Sequence, residues 1–321
     1  MSRGLGDVYK RQPTTRADAL DGSPRLAIET ESLSGSLSLI GGKIDDLKLK
    51  KYTETIQPGS PNVTLLNPVG TPDAYYALYG WVPAGNLSYD SVPGVNTEWG
   101  VESGDVLTET TPVTLVWDNG DGLVFRRTIS VDENYMFSVE QSVENVGEEE
   151  VRLAPYGIIA RHGKPQDLRG FYILHEGAIM VADGSLVETS YNKMVDLEFN
   201  PAERASAETV NVSENGWIGF TDHYWMSTLV PPSGQAFTAV TKYTAETDTY
   251  QTDMRLPTVS VAPGATVASQ TSLFAGAKDW QTIRDYEKNL QIDRFIDAID
   301  WGWFFFLTKP IFWVLHNMYL L

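Results

Sequence analysis

Cysteine does not occur anywhere in this chain of 321 residues. Disulfides, thiolate metal sites and cysteine nucleophiles are therefore excluded together, and the fold has to hold by core packing alone. That suits an exported bacterial protein without fixing a compartment. Basic residues are also few: 24 Lys and Arg stand against 42 Asp and Glu, for a formal net charge of -18. A surface field of that sign repels phosphate backbones, so nucleic acid is not an expected partner. Histidine is scarce as well, at four residues: His162, His175, His223 and His316. Their contexts, among them "RHGK" and "LHEG" beside Glu176, match neither a metal-binding helix nor a nucleophile–base spacing. They are read as solvated or hydrogen-bonded residues at strand ends. "GGKIDD" lacks the spacing of a phosphate loop, and "GEEEV" is read as a solvated turn. The tripeptides "NVT", "NLS" and "NVS" fit a glycosylation acceptor, which carries weight only in a eukaryotic secretory setting. No catalytic residue, metal ligand or cofactor is expected.

The start, "MSRGLGDVYKRQPTTRADALDGSPR", contains no apolar stretch that could act as a signal or anchor. Its Gly, Pro, Ser and charge content predicts disorder over residues 1–24. "MSRGLGDVYKRQ" also resembles translated adaptor sequence more than the start of a gene. From 26 to 274 the pattern is that of strands. "SGSLSLIGGKIDDLKLKKY" alternates apolar and polar residues around Gly41 and Gly42, which permit a tight turn. In "TPVTLVWDNGDGLVFRRTISV" the residues Val113, Leu115 and Trp117 share one face, 119–122 turn, and Val124 begins the return. "YMFSVEQSVENVGEEEVRLAPYG" repeats the scheme with Phe137, Val139 and Val143. Short strands separated by turn residues predict a mainly β fold, a large twisted antiparallel β-sandwich.

The texture changes after Gly276. "AKDWQTIRDYEKNLQIDRFIDAID" spaces Trp280, Ile283, Tyr286 and Leu290, then Phe295, Ile296 and Ile299, as an amphipathic helix broken near Gln291. The segment 301–321 follows and is almost wholly apolar and aromatic. As a helix it would reach roughly 30 Å, about one hydrocarbon core. Lys309 and Pro310 sit at its middle, where a charge is costly and a proline forfeits a helical hydrogen bond. Trp301, Trp303, Phe304, Phe305, Phe306, Phe312 and Trp313 are of types that settle at the headgroup boundary. An interfacial helix along a membrane surface is therefore predicted in preference to a span.

"GGKIDDLKLKKYTET", "PNVTLLNPVGTPDAYYALYGWV", "FTDHYWMSTLVP", "FAGAKDWQTIRDYEKNL" and "AIDWGWFFFLTKPIF", in that order, resemble the periplasmic region of the YidC/Oxa/Alb family of membrane protein insertases in its alphaproteobacterial form. The resemblance covers about residues 25 to 321. It implies a sandwich like that of galactose mutarotase, a supersandwich, over 25–276, and α-helices at its C-terminal end. An amphipathic helical segment is expected over 277–300 and the interfacial helix over 301–321, leading to a transmembrane helix outside this chain. It also implies a bacterial inner-membrane setting with this domain on the periplasmic side. The implied partners are the lipid bilayer surface and, for the full-length protein, nascent membrane proteins and the Sec translocon. The family's first membrane helix should precede Leu26, and its groove arginine should follow Leu321. By itself this chain is not expected to insert proteins or to act as an enzyme. Two alternatives share the fold: a peptide- or carbohydrate-binding module, through sandwich grooves and edge strands, and a mutarotase-like enzyme, which needs histidines and a carboxylate converging in one cleft.

Overall fold

The computed structural model describes residues 15–165, 168 and 175–299. Among these residues two large sheets stack face to face. The first runs in spatial order Phe199–Asn200, Ala205–Val212, Phe237–Thr244, Thr249–Arg255, Val151–His162, Tyr75–Ala84, Lys43–Thr53, Leu33–Ser38, Arg25–Glu29 and Val106–Leu107. Asn62–Leu66 and Val259–Val261 join it from the side. The second runs Ser185–Ser190, Gly177–Ala182, Gly216–Thr221, Trp225–Val230, Thr266–Ala277, Met136–Asn145, Leu123–Val131, Val113–Asp118 and Gly100–Ser103. The pairings are antiparallel except that Arg25–Glu29 lies parallel to Val106–Leu107. The mainly β sandwich expected from the alternation is therefore the observed architecture.

Period two decides what a strand buries where only one of its faces is covered. Val113 and Leu115 are fully buried while Thr114 and Val116 are half-buried. In Leu123–Val131 the inward set is Leu123, Phe125, Arg127, Ile129 and Val131, so a charged residue occupies a core position. Gly41 and Gly42, at φ 76 and 62, turn the chain between Leu33–Ser38 and Lys43–Thr53 in a left-handed conformation that side chains rarely adopt. A Cβ on Gly42 would stand 2.4 Å from Nη1 of Arg127, so a side chain there would displace the buried guanidinium.

Three α-helices are present among the described residues: α1 (Arg16–Asp21), α2 (Tyr191–Val195) and α3 (Trp280–Asn289). Helix α1 corrects the expectation of disorder over 1–24 at residues 16–21. Thr15 Oγ1 caps it by accepting from Asp18 N at 3.2 Å. Arg16 then docks it, donating to Leu66 O at 3.1 Å and reaching Asp46 and Asn67. Composition alone cannot register such tertiary partners.

Helix α3 packs on the outer face of the second sheet. Leu229 is opposite Leu273, and Leu229 points toward Gly157 of the first sheet, so both face inward. Phe274, next along the strand, therefore faces outward, yet it is fully buried because α3 and the chain after it cover that face.

Candidate functional site

The strand Thr266–Ala277 hands the chain to α3, whose N-terminus is capped by Asp279: Oδ1 accepts from Thr282 N and from Thr282 Oγ1, both at 3.0 Å. Ile283 and Tyr286, three positions apart, form the buried face. Tyr286 Oη donates to Asp132 Oδ2 at 2.6 Å and accepts from Tyr135 N at 3.1 Å. Burial, reinforced by the Asp132 charge, pushes the Tyr286 phenol well above its ordinary pKa, so it stays a donor. Leu290, placed on the apolar face by spacing, is 48% exposed instead. The helix has ended by then, and Gln291 turns the chain at φ 54.

A second left-handed residue, Arg294 at φ 54, leads into a 3-10 turn, Phe295–Ala298. Several contacts clamp this turn to the sandwich. Phe295 is fully buried, edge-on to Trp217 at 5.4 Å and to Phe274 at 5.5 Å. Trp217 Nε1 donates to Asp293 O at 2.9 Å, and Ile296 N donates to Glu287 Oε2 at 2.7 Å. Arg294 donates through Nε to Asp297 Oδ2 at 2.7 Å and through Nη1 to Gly184 O. Beside the turn lies an open cleft of about 660 Å³ lined by Asn215, Ser233, Glu287, Gln291, Arg294 and Asp297 among others. Phe295→Ala is expected to cost roughly 3–5 kcal/mol, the usual range for emptying a buried aromatic site. Urea unfolding checks this, and a loss under about 1 kcal/mol would show that the aromatic pocket does not hold the turn.

At the other end of the same strands a charged cluster joins the sheets. Arg161 Nη1 donates to Asp222 Oδ2 at 2.7 Å and to Tyr191 Oη at 3.1 Å. Tyr191 Oη donates to Asp222 Oδ1 at 3.2 Å, and the guanidinium lies 4.7 Å from the centre of the Tyr75 ring. Burial opposes the charge on Arg161, but Tyr191 and Asp222 outweigh it and hold the guanidinium charged. Both partners of this ion pair are engaged with each other, which makes it a cross-sheet staple.

The histidines are occupied separately. The His162 ring packs edge-on to Tyr76 at 5.9 Å, and burial lowers its pKa. His175 Nε2 lies 2.9 Å from Ala178 O, and His223 packs against Tyr224 at 3.9 Å. His316 lies outside the described residues. Among the described residues no group of three or more His, Asp or Glu could hold a metal ion, and no helix is long and apolar enough to cross a membrane. The residues read as membrane-facing, Trp301, Trp303, Phe304, Phe305, Phe306, Lys309, Pro310, Phe312 and Trp313, also lie outside the described residues. What the structure adds is the base from which that segment leaves. Spacing pointed to Phe295, but nothing local in the sequence marked Trp217, Glu287 or Arg294 as its partners.

A family model described as the YidC periplasmic domain matches residues 25–314. The protein named membrane protein insertase YidC of Dinoroseobacter shibae is 58% identical over 309 residues, covering 96% of this chain and 51% of that protein. The protein of the same name from Ruegeria pomeroyi is 51% identical over 322 residues, covering 98% and 52%. The chain thus spans about half the length of the curated relatives it matches. Among solved structures, a galactose mutarotase related enzyme from Lactobacillus acidophilus aligns with a TM-score of 0.52 at 12% identity, over 78% of this chain and 97% of that one. A galactose mutarotase-like protein from Lactobacillus casei aligns with a TM-score of 0.50 at 10% identity, over 78% and 100%. At such identities the likeness shows the shared sandwich fold alone.

Proposed function

Because the chain belongs to the YidC periplasmic-domain family, we propose that it is the periplasmic part of a bacterial inner-membrane protein insertase, held to the bilayer surface by residues 301–321. The observation that carries this reading is the clamped exit of the chain. The turn Phe295–Ala298 is fastened to the sandwich, and the aromatic run begins at Trp301, two positions beyond Ile299. Trp301, Trp303, Phe304, Phe305, Phe306, Phe312 and Trp313 supply the apolar and amphipathic rings that favour the headgroup boundary. Lys309 is suited to water or lipid phosphate, and Pro310 disfavours an unbroken spanning helix by forfeiting a helical hydrogen bond.

In the full-length protein the substrates are nascent membrane proteins, and no covalent bond changes. Apolar segments gain by transfer into lipid, and a polar groove lowers the cost of moving their polar flanks. This domain contributes surface attachment and a large periplasmic platform. The Sec translocon is the proposed protein partner of the whole assembly. Crosslink mapping in a co-purified full-length relative tests that part: crosslinks from positions matching 25–299 support it, and a pattern confined to the membrane region contradicts it.

A further inference from the structure

We infer that the sandwich stands on the bilayer by one particular end, the end built from the turns at 183–184, 213–215 and 231–234, with phospholipid headgroups as the surface it meets. The inference rests on the reading that residues 301–321 bind lipid, and adds to it which face of the domain looks at the membrane.

These three turns and the clamped exit form one bonded unit. Arg294 Nη1 donates to Gly184 O, and Trp217, first residue but one of its strand, donates to Asp293 O. The Asp183 carboxylate, on a residue at φ 46, accepts from the backbone N–H groups of Ser213 at 2.9 Å, Glu214 at 3.0 Å and Asn215 at 3.3 Å. Asn215 Oδ1 in turn accepts from Ser233 Oγ and Gly234 N, each at 3.4 Å. With Phe295 seated between Trp217 and Phe274, the chain is fixed to this end up to Ile299.

Covalent reach does the rest. Two residues extend at most about 7 Å, so Trp301 begins within that distance of Ile299 whatever path the chain takes. A lipid-bound segment starting there holds these turns near the headgroups. The opposite end is remote. The hairpin turn at 222–224 is separated from 215–216 by the six-residue strand Gly216–Thr221, roughly 20 Å long. The turn at 245–248 lies at that same far end, because Val212 pairs with Phe237 at the near end and Thr244 pairs with Thr249 at the far one. Asp183, Glu214, Glu287, Asp293 and Asp297 give the near end an acidic character. The cost of burying these charges keeps the turns out of the acyl region, while the short link to the lipid-bound segment outweighs their screened repulsion from anionic headgroups.

The absence of cysteine makes the test direct. Single-cysteine variants at the exposed positions Glu214→Cys, Ser233→Cys, Ala245→Cys and Glu246→Cys are labelled with a donor fluorophore. Each is added as the full chain to phosphatidylcholine/phosphatidylglycerol vesicles carrying a headgroup-linked acceptor. Each labelled variant is first required to keep the parent's unfolding midpoint. The expected result is a clearly greater loss of donor emission at 214 and 233 than at 245 and 246. Equal loss at all four positions, or greater loss at 245 and 246, in chains that co-sediment with vesicles overturns the orientation and leaves lipid binding standing. Failure of every variant to co-sediment overturns lipid binding and the orientation together.

Discussion

Arg127→Met should destabilise the domain by about 2–4 kcal/mol, and Arg127→Lys should not rescue it. Arg127 is 1% exposed and its guanidinium has no carboxylate partner among the described residues. Nη1 donates to Gly42 O at 2.8 Å and Gly41 O at 3.3 Å, while Nη2 donates to Tyr79 O at 2.6 Å. The Trp99 ring lies 4.7 Å away, in cation–π range. Burial pushes the guanidinium pKa down to about 10, which still leaves it charged at neutral pH. Removing it recovers the desolvation cost of one cation but strands carbonyls on the first sheet, at about 1–3 kcal/mol for each group left buried and unpaired. A methionine fills the volume and pairs with none of them. Lysine keeps the charge but lacks the planar fork that spans the two sheets and stacks on Trp99. Denaturant unfolding of both variants checks this, and a lysine variant within about 1 kcal/mol of the parent would show that charge alone suffices.

Replacing Phe304, Phe305 and Phe306 together by serine should lower vesicle affinity by about a hundredfold. Three such rings, each worth roughly 1.5–3 kcal/mol when fully buried, give about 3 kcal/mol at partial interfacial burial. About 1.4 kcal/mol corresponds to a factor of ten in affinity. Because the driving term is apolar, the parent's binding should persist when the vesicles carry no anionic lipid and when salt shortens the Debye length to a few ångströms. A partition coefficient that collapses with salt, or that ignores the triple substitution, would assign the attachment to charge instead.

How far the sequence announces this architecture depends on the range of the interaction. The alternation in Val113–Asp118 and Leu123–Val131 is local, and it separates buried from half-buried positions except at Trp117, which lies on the inward face but is only half-buried. The Gly41-Gly42 turn is legible for the same reason, since only a few neighbouring dihedrals decide it. Arg127 could be placed on the inward face by counting, but its acceptors at Gly41 and Gly42 lie about 85 residues away along the chain. The clamp at the exit is harder still. Gln291 and Arg294 adopt left-handed conformations without being glycine, and the path is held by long-range contacts: Phe295 against Trp217 and Phe274, Trp217 on Asp293 O and Arg294 on Gly184 O. Helix α1 fails to show in composition because its anchors, Asp46 and Leu66, belong to strands far along the chain. The aromatic run is the reverse case: its composition was plain in the sequence, and its positions lie outside the described residues.

The most direct test of the membrane-attached reading is vesicle co-sedimentation of the intact chain beside a chain ending at residue 300, with tryptophan emission recorded in both. The account predicts that the intact chain pellets with vesicles and shows a blue shift as Trp301 and Trp303 enter the headgroup region. The shortened chain should stay in the supernatant and unfold at the same denaturant concentration, because the sandwich and its clamped turn keep their own core. Equal partitioning of the two chains, or a sandwich that melts when 301–321 is removed, would contradict the account and make that segment part of the fold.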